Sequence, residues 1–200
     1  VIMKVKDAIK WTNEFYPNFN SEYACRLAVN FKLDINKKIK DLSTGYNSIF
    51  TFILALASGA SVILFDEPVL GVDANNRELF YKELIANYIE KPKTIVVSTH
   101  LIDEISDVLE EIIIINDGKI VLCEPVDKVL QLGYTVSGPK ANVEEYTKGK
   151  NIIREQILGN LKMTTIYQNC DDKDKHVIKE LGLKITTVKL QELIISLTNS

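Results

Sequence analysis

Between Tyr46 and Phe65 the chain runs for twenty residues without a charge, "YNSIFTFILALASGASVILF", about the length that crosses a bilayer. The small polar step "SGAS" (58–61) interrupts the run, and the carboxylates of Asp66 and Glu67 follow it at once. These breaks predict two buried elements instead of one span. Residues 46–57 read as a helix that is apolar almost all round. Residues 62–65 read as a short strand covered on both faces, as parallel strands in α/β proteins are.

The same alternation extends in both directions. Residues 4–16 predict a helix with Val5, Ile9, Trp11, Thr12 and Tyr16 on one side, stopped by Pro17. Residues 21–32 predict a second, opened by Ser21 as N-cap. Downstream, a helix over 74–90 carries Leu79, Phe80, Leu84, Ile85 and Tyr88 on one face. A continuous apolar strand (93–99), a helix (101–111) and a third strand (112–117) follow. The third strand is hairpinned through Asp117-Gly118 to a fourth, over 118–124. Strand, helix, strand, helix, strand is the order of a doubly wound parallel sheet.

After about residue 133 the elements shorten. Strands are expected over 134–139, 151–158, 162–168 and 183–189, with helices near 140–147 and 172–181 and a closing segment at 191–199. This β-α-β-β-α-β order suits a small split-βαβ domain. Gly133, with Ser137, Gly138 and Pro139 close behind, marks the boundary.

Composition removes several function classes. A net charge of −3 without a basic cluster argues against a nucleic-acid partner. Cys25, Cys123 and Cys170 form no C-x-x-C pair, so neither a zinc site nor a disulfide framework is expected, and reduced thiols of a cytoplasm are. His176, within "DDKDKH", reads as a solvated surface residue. No signal peptide follows Val1, and the absence of an initial methionine predicts a missing upstream part.

In open parallel sheets ligands bind beyond the carboxyl ends of strands. Asp66 and Glu67 end one such strand, and His100 follows another. Magnesium takes hard oxygen ligands and keeps part of its water, which suits Asp66. Glu67, pointing elsewhere, is free to polarise a water, and His100 to bond a terminal phosphate or that water. Each signal also has an ordinary structural explanation: acids facing solvent, a histidine holding a loop. Ahead of the 46–57 helix, Ser43 and Gly45 would make an anion site of its N-terminus, although capping alone accounts for Ser43.

The order and spacing of these pieces resemble the nucleotide-binding subunit of ATP-binding cassette (ABC) transporters. "LSTGY" (42–46) is similar to the LSGGQ signature, "VILFDEP" (62–68) to the Walker B strand with its catalytic glutamate, "GVD" (71–73) to the D-loop and "STH" (98–100) to the switch histidine. "IIIINDGKIV" resembles the strand pair that follows, and the opening segment looks most like the bacterial exporter type. The resemblance covers about residues 1–130. It implies an α/β fold with part of a P-loop NTPase parallel sheet. A helical signature subdomain would occupy about 1–60, a Walker B to switch region about 61–133, and a small α+β accessory domain 134–200. It further implies that Asp66 binds Mg2+ through water, Glu67 orients the hydrolytic water and His100 contacts the γ-phosphate. Leu42, Ser43, Thr44 and Gly45 would close on ATP held by a second nucleotide-binding subunit in a head-to-tail dimer, with Asp73 at the same seam. The implied cofactors are ATP and Mg2+. The implied function is ATP hydrolysis powering export through transmembrane permease subunits, in the cytoplasm on the inner face of the cell membrane.

The departures are specific. Thr44 and Tyr46 stand where the family usually has glycine and glutamine, Ile49 where arginine is common, and Ala74 where proline is frequent. No G-x-x-x-x-G-K-[ST] occurs in the chain, and neither does the upstream glutamine loop, so the chain is expected to be a fragment, inactive alone. The competing expectations are a non-catalytic module derived from a cassette, and a soluble ABC-type ATPase, whose usual tandem cassettes or long coiled coils are not seen.

Overall fold

The computed structural model describes residues 2–198. They form two compact units, one ending at His100 and one beginning at Leu101.

The first unit contains α1 (Val5–Phe15), α2 (Ser21–Asn30), α3 (Thr44–Ala57), β1 (Val62–Asp66), α4 (Ala74–Glu90) and β2 (Thr94–Ser98). Helix α1 buries Val5, Ala8 and Ile9. Trp11, Phe15 and Tyr16 are exposed, so the predicted stripe holds only at the i, i+3, i+4 positions that share a helix face. The two outward rings of Trp11 and Phe15 pack on each other, with centroids 4.5 Å apart. The N-cap of α2 is Asn20, whose side chain accepts from the Tyr23 amide at 2.9 Å. Ser21 is therefore the first helical residue and not the cap.

Helix α3 begins at Thr44, one turn's half earlier than the apolar run suggests, because Ser43 caps it. Its buried residues include Ile49, Phe50, Phe52, Ile53 and Leu56. Phe52 lies at the centre of an aromatic core, with ring centroids 5.8 Å from Phe31, 5.6 Å from Phe65 and 3.9 Å from Phe80. Among the described residues no helix is long and apolar enough to cross a membrane.

Strands β1 and β2 pair in parallel, from Val62 opposite Thr94 to Asp66 opposite Ser98. Ile63 and Phe65 point into the core, but Leu64 is 73% exposed and Val62 and Val96 are about half exposed. The sheet is thus covered on one face only, contrary to the reading of β1 as buried on both. Helix α4 also turns differently from its predicted face: Phe80, Tyr81, Leu84 and Asn87 are buried, and Ile85 reaches the surface.

The second unit starts with a single helical turn, α5 (Ile102–Ile105), continued as 3-10 helix over Ser106–Val108, shorter than the predicted 101–111 helix. Strands β3 (Glu111–Asn116) and β4 (Lys119–Pro125) form an antiparallel hairpin. Its tip, Asp117-Gly118, has two positive φ angles, 48° and 72°, as a type I′ turn requires. Among the described residues β3 pairs only with β4, so it does not extend the parallel sheet as the strand–helix alternation had suggested.

Next come α6 (Val126–Leu130), β5 (Tyr134–Pro139), α7 (Lys140–Tyr146), β6 (Ile152–Leu158), β7 (Leu161–Ile166), α8 (Asp172–Glu180), β8 (Lys184–Thr187) and α9 (Leu190–Thr198). The end of the predicted closing segment, Asn199, lies outside the described residues. The sheet order is β6-β7-β5-β8, with every neighbouring pair antiparallel. With α7 and α8 as the two crossovers, this is the split-βαβ arrangement. Val126 and Val129 of α6 are buried with Val188, Leu190 and Leu193, and Ile102, Leu109, Ile112 and Leu122 pack against that cluster. Residues 101–132 therefore pack with the tail, and the two compact units meet in sequence at His100/Leu101.

Beneath α7 and α8 lies a polar knot. Lys150 Nζ bonds Asp174 Oδ1 at 2.6 Å, the Tyr146 hydroxyl donates to the same oxygen at 2.9 Å, and the Tyr134 and Tyr146 hydroxyls are 2.7 Å apart. Burial alone would raise the pKa of Asp174, but the bonds and charge of Lys150, the Tyr146 hydroxyl and the Asp171 backbone together outweigh it and hold the carboxyl below its usual range. His176 sits at the surface as expected, paired with Glu180 at 3.2 Å. The three cysteines are free.

Candidate functional site

The ends of β1 and β2 place two acids beside three consecutive donors. Ser98 lies opposite Asp66 in the parallel register, and its hydroxyl donates to Asp66 Oδ1. Glu67 leaves the strand with φ at +44°, a left-handed conformation that is costly for a residue with a side chain. Its amide donates to the Ser98 carbonyl at 2.9 Å. The turn brings the Glu67 carboxylate onto the loop after β2. Oε1 accepts from the His100 amide at 3.1 Å and meets the His100 ring Nδ1 at 2.7 Å, while Oε2 accepts from the Thr99 hydroxyl at 3.3 Å.

A carboxylate only accepts, so the proton of this pair is assigned to Nδ1. That leaves Nε2 of the half-exposed imidazole for another group, and Nε2 can donate to an anion only when the ring is protonated. The Glu67 side chain is about one-third exposed. These three bonds leave one acceptor site of the carboxylate, on Oε2, for a water.

Asp66 is exposed, and no protein donor meets its Oδ2 among the described residues. No group of three or more His, Cys, Asp or Glu residues among them converges to cage a metal. A single hard carboxylate with one free oxygen fits Mg2+, which is commonly held by one or two carboxylates together with waters and phosphate oxygens.

A second cluster forms where α3 begins. Ser43 Oγ accepts from the Tyr46 amide at 3.3 Å, and the 3-10 turn Ile39–Asp41, closed by Leu42, leads into it. Gly45 is buried against the loop after β1: a Cβ there would lie 2.3 Å from the Gly71 carbonyl oxygen. The glycine is thus demanded by packing on residue 71. Thr44 Cγ2 lies over the same Gly71, and Ser48 Oγ donates to the Leu70 carbonyl at 3.4 Å. Ile49, at the family's common arginine position, is a core residue. Asp73 caps α4, accepting from the Asn76 amide at 3.1 Å. Its carboxyl is held below the usual range by Asn76, first through that amide and then through the side chain.

Of the residues singled out from sequence, the structure joins Asp66, Glu67 and His100 into one cluster. Leu42, Ser43, Thr44, Gly45 and Asp73 fall into the other, around the 68–73 loop. Sequence reasoning missed Ser98 and Thr99 as partners of the acids. The available signal was position: both stand at the end of β2, directly before His100.

No family model matches the chain. It is 25% identical over 199 residues to the ABC transporter ATP-binding protein YtrB of Bacillus subtilis, covering 96% of this chain and 66% of that protein. It is 30% identical over 104 residues to the osmoprotectant import ATP-binding protein OsmV of Salmonella typhimurium, covering 52% of this chain and 27% of OsmV. Among solved structures, the ATP-binding subunit of an ABC transporter superposes with a TM-score of 0.57 at 17% identity, over 64% of this chain and 55% of that one. The chain spans two thirds or less of the length of these relatives. An import protein among them removes the ground for limiting the likeness to exporters.

Proposed function

We propose that this chain, whose homologues are ATP-binding proteins of ABC transporters, supplies the carboxylate and signature elements of an ATP-hydrolysing site. The observation that carries the reading is the joining of Glu67 and His100 beside Asp66 at the ends of two parallel strands, where such sheets bind ligands.

In this reading Asp66 offers Oδ2 to Mg2+ through a water, with ATP and further waters completing the metal's shell. The metal supplies neutralisation of phosphate charge, the main need of phosphoryl transfer. Glu67 orients the attacking water and accepts its proton. His100, fixed through Nδ1 and its amide, presents Nε2 toward the terminal phosphate. The phosphates themselves are held by residues other than these 200, since the sequence has no glycine-rich phosphate loop.

Ser43 and Gly45 at the start of α3 serve the ATP of a second nucleotide-binding subunit, and Asp73 lies at that head-to-tail seam. The pair drives transmembrane permease subunits from the cytoplasmic side of the membrane. The packing of Gly45 and Thr44 on Gly71 supports a signature that moves together with the D-loop. The test is ATP hydrolysis by the protein encoded by the complete gene. Magnesium-dependent turnover is expected, and its absence in a folded preparation that binds ATP overturns the enzymatic reading.

A further inference from the structure

We propose that Ser98 is the positioning residue for both acids, ordering Asp66 for the metal and Glu67 for the water. The inference rests on the functional reading above and assigns a role that the sequence motif does not.

Three observations meet at this residue. The parallel register sets Ser98 opposite Asp66, with both side chains on the open face of the sheet. The Ser98 hydroxyl donates to Asp66 Oδ1, which fixes the carboxylate plane and leaves Oδ2 as the oxygen without a protein donor. The Ser98 carbonyl accepts from the Glu67 amide at 2.9 Å, and that bond holds the left-handed turn, φ +44°, which delivers Glu67 to Thr99 and His100. One residue therefore secures a side chain with its hydroxyl and a main-chain turn with its carbonyl.

The two functions separate chemically. The carbonyl survives any substitution, whereas the hydroxyl does not. Removing it frees Asp66 to rotate, so each metal-binding event must order the carboxylate again. Losing an outer partner of a metal ligand typically weakens metal binding about 10- to 100-fold. The ordinary alternative is a strand-end serine that merely satisfies an exposed carboxylate. That alternative predicts a small change in stability and none in metal affinity.

Threonine and valine at position 98 have nearly the same shape and both suit a strand, but only threonine keeps the hydroxyl. The comparison is made in the protein encoded by the complete gene, with Mn2+ and ATP as the probe. Mn2+ binding is read by electron paramagnetic resonance, and the Mg2+ dependence of hydrolysis is measured beside it. Ser98→Thr is expected to bind Mn2+ within about twofold of the unsubstituted protein, and Ser98→Val to bind it about tenfold or more weakly, with a matching rise in the Mg2+ needed for half-maximal turnover. Thermal unfolding of the two variants should coincide. Equal Mn2+ affinity in Thr and Val variants overturns the role of Ser98 alone. An unsubstituted protein that neither binds Mn2+ with ATP nor hydrolyses ATP overturns the functional reading as well.

Discussion

Glu67 is held by His100 at two points, through the main-chain amide at 3.1 Å and the ring Nδ1 at 2.7 Å. The pairing spans 33 positions of sequence and exists because β1 and β2 run parallel and end level. It also explains the left-handed turn at Glu67: an extended residue would carry the carboxylate onward along the strand, away from the loop after β2. The strain there is offset by the bonds it makes possible.

Gly45 gives the sharpest mutational expectation. A methyl group at that position lies 2.3 Å from a backbone oxygen of residue 71, which no side-chain rotation relieves. Gly45→Ala should destabilise this chain by about 1–3 kcal/mol, the usual cost of overpacking. Thermal unfolding followed by circular dichroism checks it. Thr44→Gly, at an exposed neighbour, should cost less than Gly45→Ala.

The bare face of the parallel sheet makes a differential prediction. Leu64 is 73% exposed here, so Leu64→Ala should change the stability of this chain by no more than about 0.5 kcal/mol. If further residues encoded by the complete gene cover that face, the same substitution in the complete protein costs about 2–5 kcal/mol, as a buried leucine does. Paired denaturant titrations measure the difference. Equal small effects in both proteins would leave the face without a cover.

In the second unit, Lys150 and Asp174 form an ion pair with side chains only 16% and 12% exposed. Lys150→Met leaves the Asp174 charge nearly buried and unpaired, and should cost about 3 kcal/mol or more. The pH dependence follows from the lowered pKa of Asp174. Its folded-state value lies below its unfolded one, so its contribution is complete above the ordinary carboxylate range and is lost as pH falls through the folded value. Unfolding of the unsubstituted chain, followed from neutral pH into acid, should show this loss, and Asp174→Asn should remove that component.

Much of this was legible in the sequence, for identifiable reasons. The split-βαβ tail was readable because its strands are short, separate and bounded by turn residues. The proximity of Asp66, Glu67 and His100 was readable because they end or follow continuous apolar runs, and the carboxyl ends of neighbouring parallel strands lie side by side. Four features were not. The boundary at His100 depends on long-range packing of Val126 and Val129 on Leu190 and Leu193, which no local composition shift announces. The apolar strand at 62–65 was read as covered on both faces because hydrophobicity reports what could be buried, not what covers it. The packing of Gly45 against Gly71 was not readable because a glycine beside an anion site and a glycine under a backbone carbonyl look alike in sequence. Ser98 and Thr99 were passed over for a related reason: strand-end hydroxyls are common, and only the parallel register shows which acid each one meets.

The direct measurement of the central claim is ATP turnover by the Glu67→Gln variant of the protein encoded by the complete gene. Glutamine keeps the shape of Glu67 but cannot serve as the base. The account predicts a fall of about 100-fold or more in hydrolysis, with ATP binding by calorimetry unchanged. Turnover at the unsubstituted rate would contradict it.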